Sequence, residues 1–172
     1  MSAASRAVSE TQLTLNTLRQ MSFEELDRLY RASPRPASIA TLDGDAKGAM
    51  LAWRSPRSGV IASLLRKFGN SSAFPWEGKS FYSKGADSGS GINRVNLLGK
   101  RRWFPFATRF GASFLDGKPT FVLDYSRPAN PPLIRQIVDE VREVAPRLYM
   151  GPAALKVAGR PRPILFFAVS LQ

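Results

Sequence analysis

The sequence predicts a mainly β protein: one antiparallel up-and-down barrel, with helices near the N-terminus and one short helix between early strands. Two observations carry that expectation. The stretch Phe106 to Tyr125, FATRFGASFLDGKPTFVLDY, sets two strand-like runs about an Asp116-Gly117 pair. Asp-Gly between alternating runs marks a hairpin, because a type I′ turn needs φ > 0 at both central residues. The chain also breaks into eight or so short strand-like runs with few helices to cross between them, and closing such a sheet on itself removes its edges.

In chain order, residues 1–8 are expected to be disordered and 9–172 to form a single barrel domain. Ser9-x-x-Gln12 and Ser22-x-x-Glu25 are capping-box patterns, in which serine caps a helix start and the third side chain reaches back. The second opens a helix from Phe23 to Ala32, with Phe23, Leu26, Leu29 and Tyr30 on one stripe, and Pro34 and Pro36 end it. It reads as a lid or plug helix. Residues 38–53 read as extended with a turn around Asp43-Gly44. Gly59 to Phe68 has a helical pattern flanked by Arg57, Arg66 and Lys67, and Gly69-Asn70 closes it. A basic amphipathic helix can lie on a membrane, although one this short more often covers the end of a sheet.

Strands are expected over Lys79 to Lys84 and Gly91 to Leu98, then the 106–125 hairpin. The loop Gly85 to Gly91 lacks the Lys-Ser/Thr that would make it a phosphate cradle. Lys100 to Phe106 interleaves cations and aromatics, a pattern suited to stacking on bases or to an interfacial belt. With Asp116-Gly117 at the turn, Leu115 faces Lys118 and Arg109 faces Asp124. Thr108, Phe110, Ala112, Phe114, Pro119, Phe121, Leu123 and Tyr125 then share one nearly apolar face, the pattern of a ribbon lying on a core. Leu133 to Val144 fits either a helix or a strand, and a helical turn followed by a strand from about Asp139 is the reading taken. Leu148 to Val157 and Pro163 to Leu171 form a closing hairpin over Ala158 to Pro163.

The 172 residues suffice for one domain that buries roughly 70% of its unfolded surface. Cysteine and histidine are both absent. Disulfides, thiol nucleophiles, the Ser-His-Asp triad, His-ligated haem and His-containing zinc sites are therefore excluded, as is the usual base near pH 7. No cofactor and no metal is expected. No apolar run approaches a membrane span, and the first twelve residues hold no apolar signal core, so a cytoplasmic location is the default. The net charge of +12 is uneven: residues 44–109 hold 12 Lys/Arg against Asp45, Glu77 and Asp87. Such a segment attracts anionic surfaces, a phospholipid membrane being a possible partner and nucleic acid a less favoured one. The plainer reading is that the charge keeps the protein soluble.

Two motifs carry a family resemblance. Leu42 to Leu51, LDGDAKGAML, resembles the first strand of the lipocalin-like bacterial proteins named for a Gly-x-Trp-x-Gly motif. Trp76-Glu77-Gly78-Lys79-Ser80-Phe81 is similar to the Trp-x-Gly-Lys-x-Phe strand that follows in that family. Order and spacing agree over roughly residues 23–82. The sequence departs at Ala46, where the family has the tryptophan that plugs the closed end of the barrel, so Trp53 or Trp76 is expected to fill that space. The resemblance implies a calycin-type barrel with a central apolar cavity, and no settled activity. The iron-ligating histidine of related haem-binding barrels has no counterpart.

Three functions are compatible with these residues. The first is binding of a small apolar or amphipathic ligand, such as a fatty acid, isoprenoid or polyketide, in a cavity lined by Phe81, Phe110, Phe114, Phe121, Leu123 and Tyr125, with polar anchoring from Tyr125 and Asn93. The second is an acid/base enzyme on the same barrel, an isomerase, cyclase or hydrolase. Without histidine its base must be a buried carboxylate, and the candidates are Asp124, Tyr125, Tyr82, Asp139 and Glu140. The third is surface binding through the basic segment. For each single residue, an ordinary core or surface role is the competing reading.

Overall fold

The computed structural model describes residues 13–54, 76–96 and 99–172. The expected disorder of residues 1–8, the capping box at Ser9 and the basic helix of Gly59 to Phe68 lie outside the described residues. Within them run two helices, α1 (Leu15–Leu18) and α2 (Phe23–Ala32), and a 3-10 turn at Ile39–Leu42. The strands are β1 (Gly44–Trp53), β2 (Trp76–Ser83), β3 (Ser88–Asn96), β4 (Lys100–Ala112), β5 (Pro119–Asp124), β6 (Ile137–Ala145), β7 (Leu148–Val157) and β8 (Arg160–Ser170). Each strand pairs antiparallel with the next and β8 returns to β1, so the sheet closes as an up-and-down barrel.

Alternation along the strands sorts the side chains. Ala46, Phe81, Phe106, Phe121, Leu123, Tyr125, Val141, Tyr149, Phe167 and Val169 form the interior core, joined by Ile39 and Leu42 from the 3-10 turn. Residues of opposite parity, Leu148, Met150, Phe166 and Ala168, face outward and are covered by Leu18, Leu26 and Tyr30 of the helices. Ser22 and Glu25 cap α2 reciprocally, as the sequence predicts. The helix lies on the flank of the barrel, however, and does not plug an end. Its buried stripe meets the outward faces of β7 and β8, while the 3-10 turn carries the apolar side chains that enter the interior.

The β4–β5 hairpin keeps its predicted faces but not its predicted register. Ala107 faces Asp124, Thr108 faces Leu123, Arg109 faces Val122 and Phe110 faces Phe121. The expected Arg109–Asp124 pair is therefore not formed. The pairing has slipped by two residues, which leaves the paired side chains of β4 and β5 on their faces because the period of a strand is two, while Phe114 passes into the turn. Ser113 N–H donates to Lys118 O at 2.9 Å, so the loop comprises Phe114 to Gly117, with Gly117 at φ +71°. The cause lies on β6. Glu140 accepts from Phe114 N–H at 2.8 Å and from Ser113 Oγ at 2.7 Å, and Arg142 grips Asp116. These buried bonds outweigh the ~0.2–1 kcal/mol of one exposed cross-strand ion pair.

Elsewhere the differences are of boundary. The loop from Gly85 is shorter than expected, since β3 begins at Ser88. The residues from Leu133 form a 3-10 turn at Ile134–Gln136, and β6 starts at Ile137, two residues before the expected Asp139. The β7–β8 turn is the two-residue Ala158-Gly159, both at positive φ, so β8 begins at Arg160 where Pro163 was expected.

Candidate functional site

Ionisable and amide side chains meet inside the barrel, among the aromatic rings. Lys79 of β2 shares the inward parity of Phe81, and Asp139 of β6 shares that of Val141. Asn93 of β3 and Tyr125, just beyond β5, complete the group. The Lys79 ammonium donates to Asn93 Oδ1 at 2.9 Å, to Tyr125 Oη at 2.5 Å and to Asp139 Oδ2 at 3.0 Å. Its three protons thus have three acceptors. Asn93 Nδ2 donates to Tyr125 Oη at 3.1 Å and to Phe104 O at 3.3 Å, while Trp76 Nε1 donates to Asn93 Oδ1 at 3.1 Å. Tyr125 donates in turn to Asp139 Oδ2 at 3.1 Å. One atom of the group stays unpaired among the described residues: Asp139 Oδ1, which is buried with no hydrogen-bond partner there.

The surroundings are apolar. Only 4% and 5% of the Lys79 and Asp139 side chains are exposed. The Lys79 nitrogen lies over the rings of Phe167 (4.9 Å), Tyr125 (5.2 Å), Phe106 (5.3 Å) and Trp76 (5.4 Å), whose faces attract a cation. Burial pushes Lys79 below the ordinary lysine range, and the attraction of Asp139 only partly restores it. Burial, reinforced by the Asp139 charge, raises Tyr125 well above the ordinary phenol range. An amine made easier to deprotonate therefore stands beside a carboxylate and a phenol that holds its proton.

Local geometry explains how β2 delivers both Trp76 and Lys79 inward. The β2–β3 register shifts between Trp76 and Gly78, and Gly78 sits at φ +137°. A Cβ there would lie 2.0 Å from Ala46 O, so this bulge admits only glycine. Trp76 rests on Gly48, where a Cβ would come within 2.6 Å of the indole. Trp76 thus occupies interior space beside the alanine at position 46, and Trp53 also packs against the interior core.

Of the residues singled out from sequence, Tyr125, Asn93 and Asp139 come together. Phe81, Phe121 and Leu123 are buried in the same interior core, and Phe110 packs at a tilt against Phe121 with the Arg35 guanidinium over its ring at 4.3 Å. Phe114 does not join them: it falls in the turn, against Val122, Val138 and Ala154. Glu140 points outward, where it accepts from Tyr30 Oη at 2.8 Å and anchors α2. Asp124 accepts from Ser126 N–H at 2.9 Å near the surface, and Tyr82 is 47% exposed against Arg102. Lys79 went unnamed. Its signal was its place two residues from Phe81, which puts it on the same face of the strand.

The Lys100 to Phe106 stretch forms the start of β4, kinked at Phe104 (φ +58°). Arg102, Trp103, Phe104 and Pro105 border an open surface cleft of about 470 Å³ with Ala129, Asn130 and Pro131. No helix among the described residues is long and apolar enough to cross a membrane.

No family model matches the chain, and no curated protein matches its sequence. Among solved structures, a protein from Thermomonospora curvata superposes with a TM-score of 0.51 over 85% of this chain and 84% of that one, at 18% identity. That likeness is one of fold.

Proposed function

We propose that this chain binds a small apolar or amphipathic ligand, of fatty-acid, isoprenoid or polyketide-like chemistry, inside a lipocalin-like barrel. The ligand's polar end is placed at the Lys79–Asp139 group. The observation that carries the reading is Asp139 Oδ1, which among the described residues is the one unpaired atom of an otherwise saturated buried network. An unmade hydrogen bond in such surroundings costs ~1–3 kcal/mol, which a ligand donor would recover. An aromatic wall with a few convergent polar groups is also the usual make-up of a small-molecule site. The motifs at Leu42–Leu51 and Trp76–Phe81 support the lipocalin-like assignment.

The unpaired acceptor refines the ligand. A hydroxyl or a protonated carboxyl can donate to Asp139, whereas an ionised carboxylate would be repelled by it. Titration with a hydrophobic fluorophore, displaced by a long-chain alcohol or by the matching fatty acid, tests this. Saturable binding, stronger displacement by the alcohol and weaker binding in Phe121→Trp are expected. A fluorophore that never saturates, or an affinity unchanged by Phe121→Trp, overturns the reading.

A second reading is favoured by the opposed shifts of Lys79 and Tyr125, since groups driven apart in this way suit acid and base roles. It is a histidine-independent acid/base enzyme acting on a hydrophobic small molecule at the same site. Turnover of an amphipathic ester and enone panel, lost in Asp139→Asn, would establish it.

A further inference from the structure

We infer that Lys79 is a covalent attachment point, its side-chain nitrogen condensing with the carbonyl carbon of an apolar aldehyde or ketone to form an imine. This inference rests on the ligand-binding reading above and names the chemical class of the ligand's polar end.

The argument is one of placement. Imine formation needs an amine, a group to take its proton, a donor for the carbonyl oxygen and an acid to expel water. Asp139 Oδ2 lies 3.0 Å from the Lys79 nitrogen and Tyr125 Oη lies 2.5 Å from it, while Tyr125 also bonds Asp139 at 3.1 Å. Asn93 fixes both the amine and the phenol. On β1 and β7 the direct neighbours of Lys79 and Asp139 are the small side chains of Ala46 and Ala153, while Asn93 on β3 and Leu123 on β5 stand on their other sides.

The steps balance without any oxidant or reductant. Asp139 takes a proton from the Lys79 ammonium. The freed lone pair attacks the carbonyl carbon, a C–N bond forms, and the C=O π pair moves to oxygen. Tyr125 protonates that oxygen and recovers a proton from the nitrogen, leaving a neutral carbinolamine. Asp139 then returns its proton to the carbinolamine hydroxyl, which departs as water as the nitrogen lone pair forms C=N. The product is a protonated imine. It carries the same single positive charge as the ammonium, beside the same carboxylate and within the same ring faces. The unpaired Asp139 Oδ1 supplies an acceptor for the carbinolamine hydroxyl on the way.

The test incubates the full chain with decanal and then adds sodium cyanoborohydride, which reduces an imine to a stable amine, followed by intact mass and peptide mapping. One adduct per chain, confined to Lys79 among the seven lysines, is expected. Decanol should compete with its formation, and Tyr125→Phe should slow it about 10²-fold. Lys79→Met should abolish it. Because the mapping is read on wild type, a poorly folded variant does not decide the outcome. Adducts scattered over surface lysines with Lys79 untouched overturn the inference. If decanol and decanal both displace the fluorophore yet no adduct forms at Lys79, the imine falls and ligand binding stands; if neither displaces it, both fall.

Discussion

Arg142 grips Asp116 with both terminal nitrogens, Nη1 to Oδ2 and Nη2 to Oδ1 at 2.8 Å each. Its other donors reach Tyr30 O, Pro119 O and Lys118 O, so all five N–H groups of a fully buried guanidinium are used. One side chain thereby ties α2, the β4–β5 turn and β6 together. Arg142→Ala strands Asp116 and three carbonyls, and should cost ~3–5 kcal/mol in urea unfolding. Arg142→Lys should recover only part of this, since an ammonium cannot reproduce the planar fork. A loss below ~1 kcal/mol for the alanine variant would show the pair to be dispensable.

Two acids beside this arginine give stability opposite dependences on pH. The Arg142 bonds hold Asp116 at about 2, below its ordinary 3.8. Its contribution is therefore complete above pH 3.8 and is lost as pH falls through about 2. Burial raises Glu140 above its ordinary 4.5, so the folded state holds a proton the unfolded chain has released, and stability declines as pH rises from 4.5. Urea midpoints measured against pH should lose the acid limb in Asp116→Asn and the decline above 4.5 in Glu140→Gln. Unchanged profiles in both variants would contradict these assignments.

Ala46 is fully buried directly beside Lys79, and Trp76 already stands on Gly48 next to it. Ala46→Trp, which restores the tryptophan of the motif it resembles, should overpack the interior. A loss of ~1–3 kcal/mol or more is expected in thermal unfolding. Unchanged stability would mean that the interior holds room beyond what Trp76 occupies.

Leu123 and Asp124 are neighbours on β5 with opposite surroundings. Leu123 is fully buried in the interior core, so Leu123→Ala should cost ~2–5 kcal/mol. Asp124 only caps Ser126 N–H at the surface, and Asp124→Ala should cost ~1 kcal/mol or less. Chemical denaturation of the two variants compares them directly, and equal losses would contradict the assigned facing.

The faces of these strands were legible because period-two alternation survives a register error. Phe110, Phe121, Leu123 and Tyr125 kept their side although the Arg109–Asp124 pairing was two residues out. The register itself was not legible, since it is set by Glu140 and Arg142, which follow the turn by more than twenty residues and act through side-chain bonds. Parity also held the clue to the site. Phe81 marks Lys79 as inward, and Ile137 and Val141 mark Asp139 likewise. A lysine in a basic chain reads as surface charge until a closed sheet shows what lies across from it. The bulge at Gly78 that turns Trp76 to the same side leaves a faint trace in sequence, a glycine inside a strand.

The Lys79–Asp139 pair separates stability from function most sharply. Two buried charges must recover their desolvation from each other, and removing one leaves the other unpaired. Lys79→Met alone should therefore cost ~3–5 kcal/mol. The double variant Lys79→Met/Asp139→Leu removes both charges at similar volume and should be neutral or more stable by ~1–4 kcal/mol. A pair kept for the fold has no reason to resist that exchange, whereas a pair kept for a ligand does. The double variant should fold with a raised unfolding midpoint and lose displacement of the fluorophore by long-chain alcohols, since neither the unpaired carboxylate oxygen nor the amine remains. Unfolding midpoints of the wild type, both single variants and the double variant close the cycle. A double variant less stable than wild type that still binds alcohols as wild type does would make the pair a structural tie, with the binding site elsewhere.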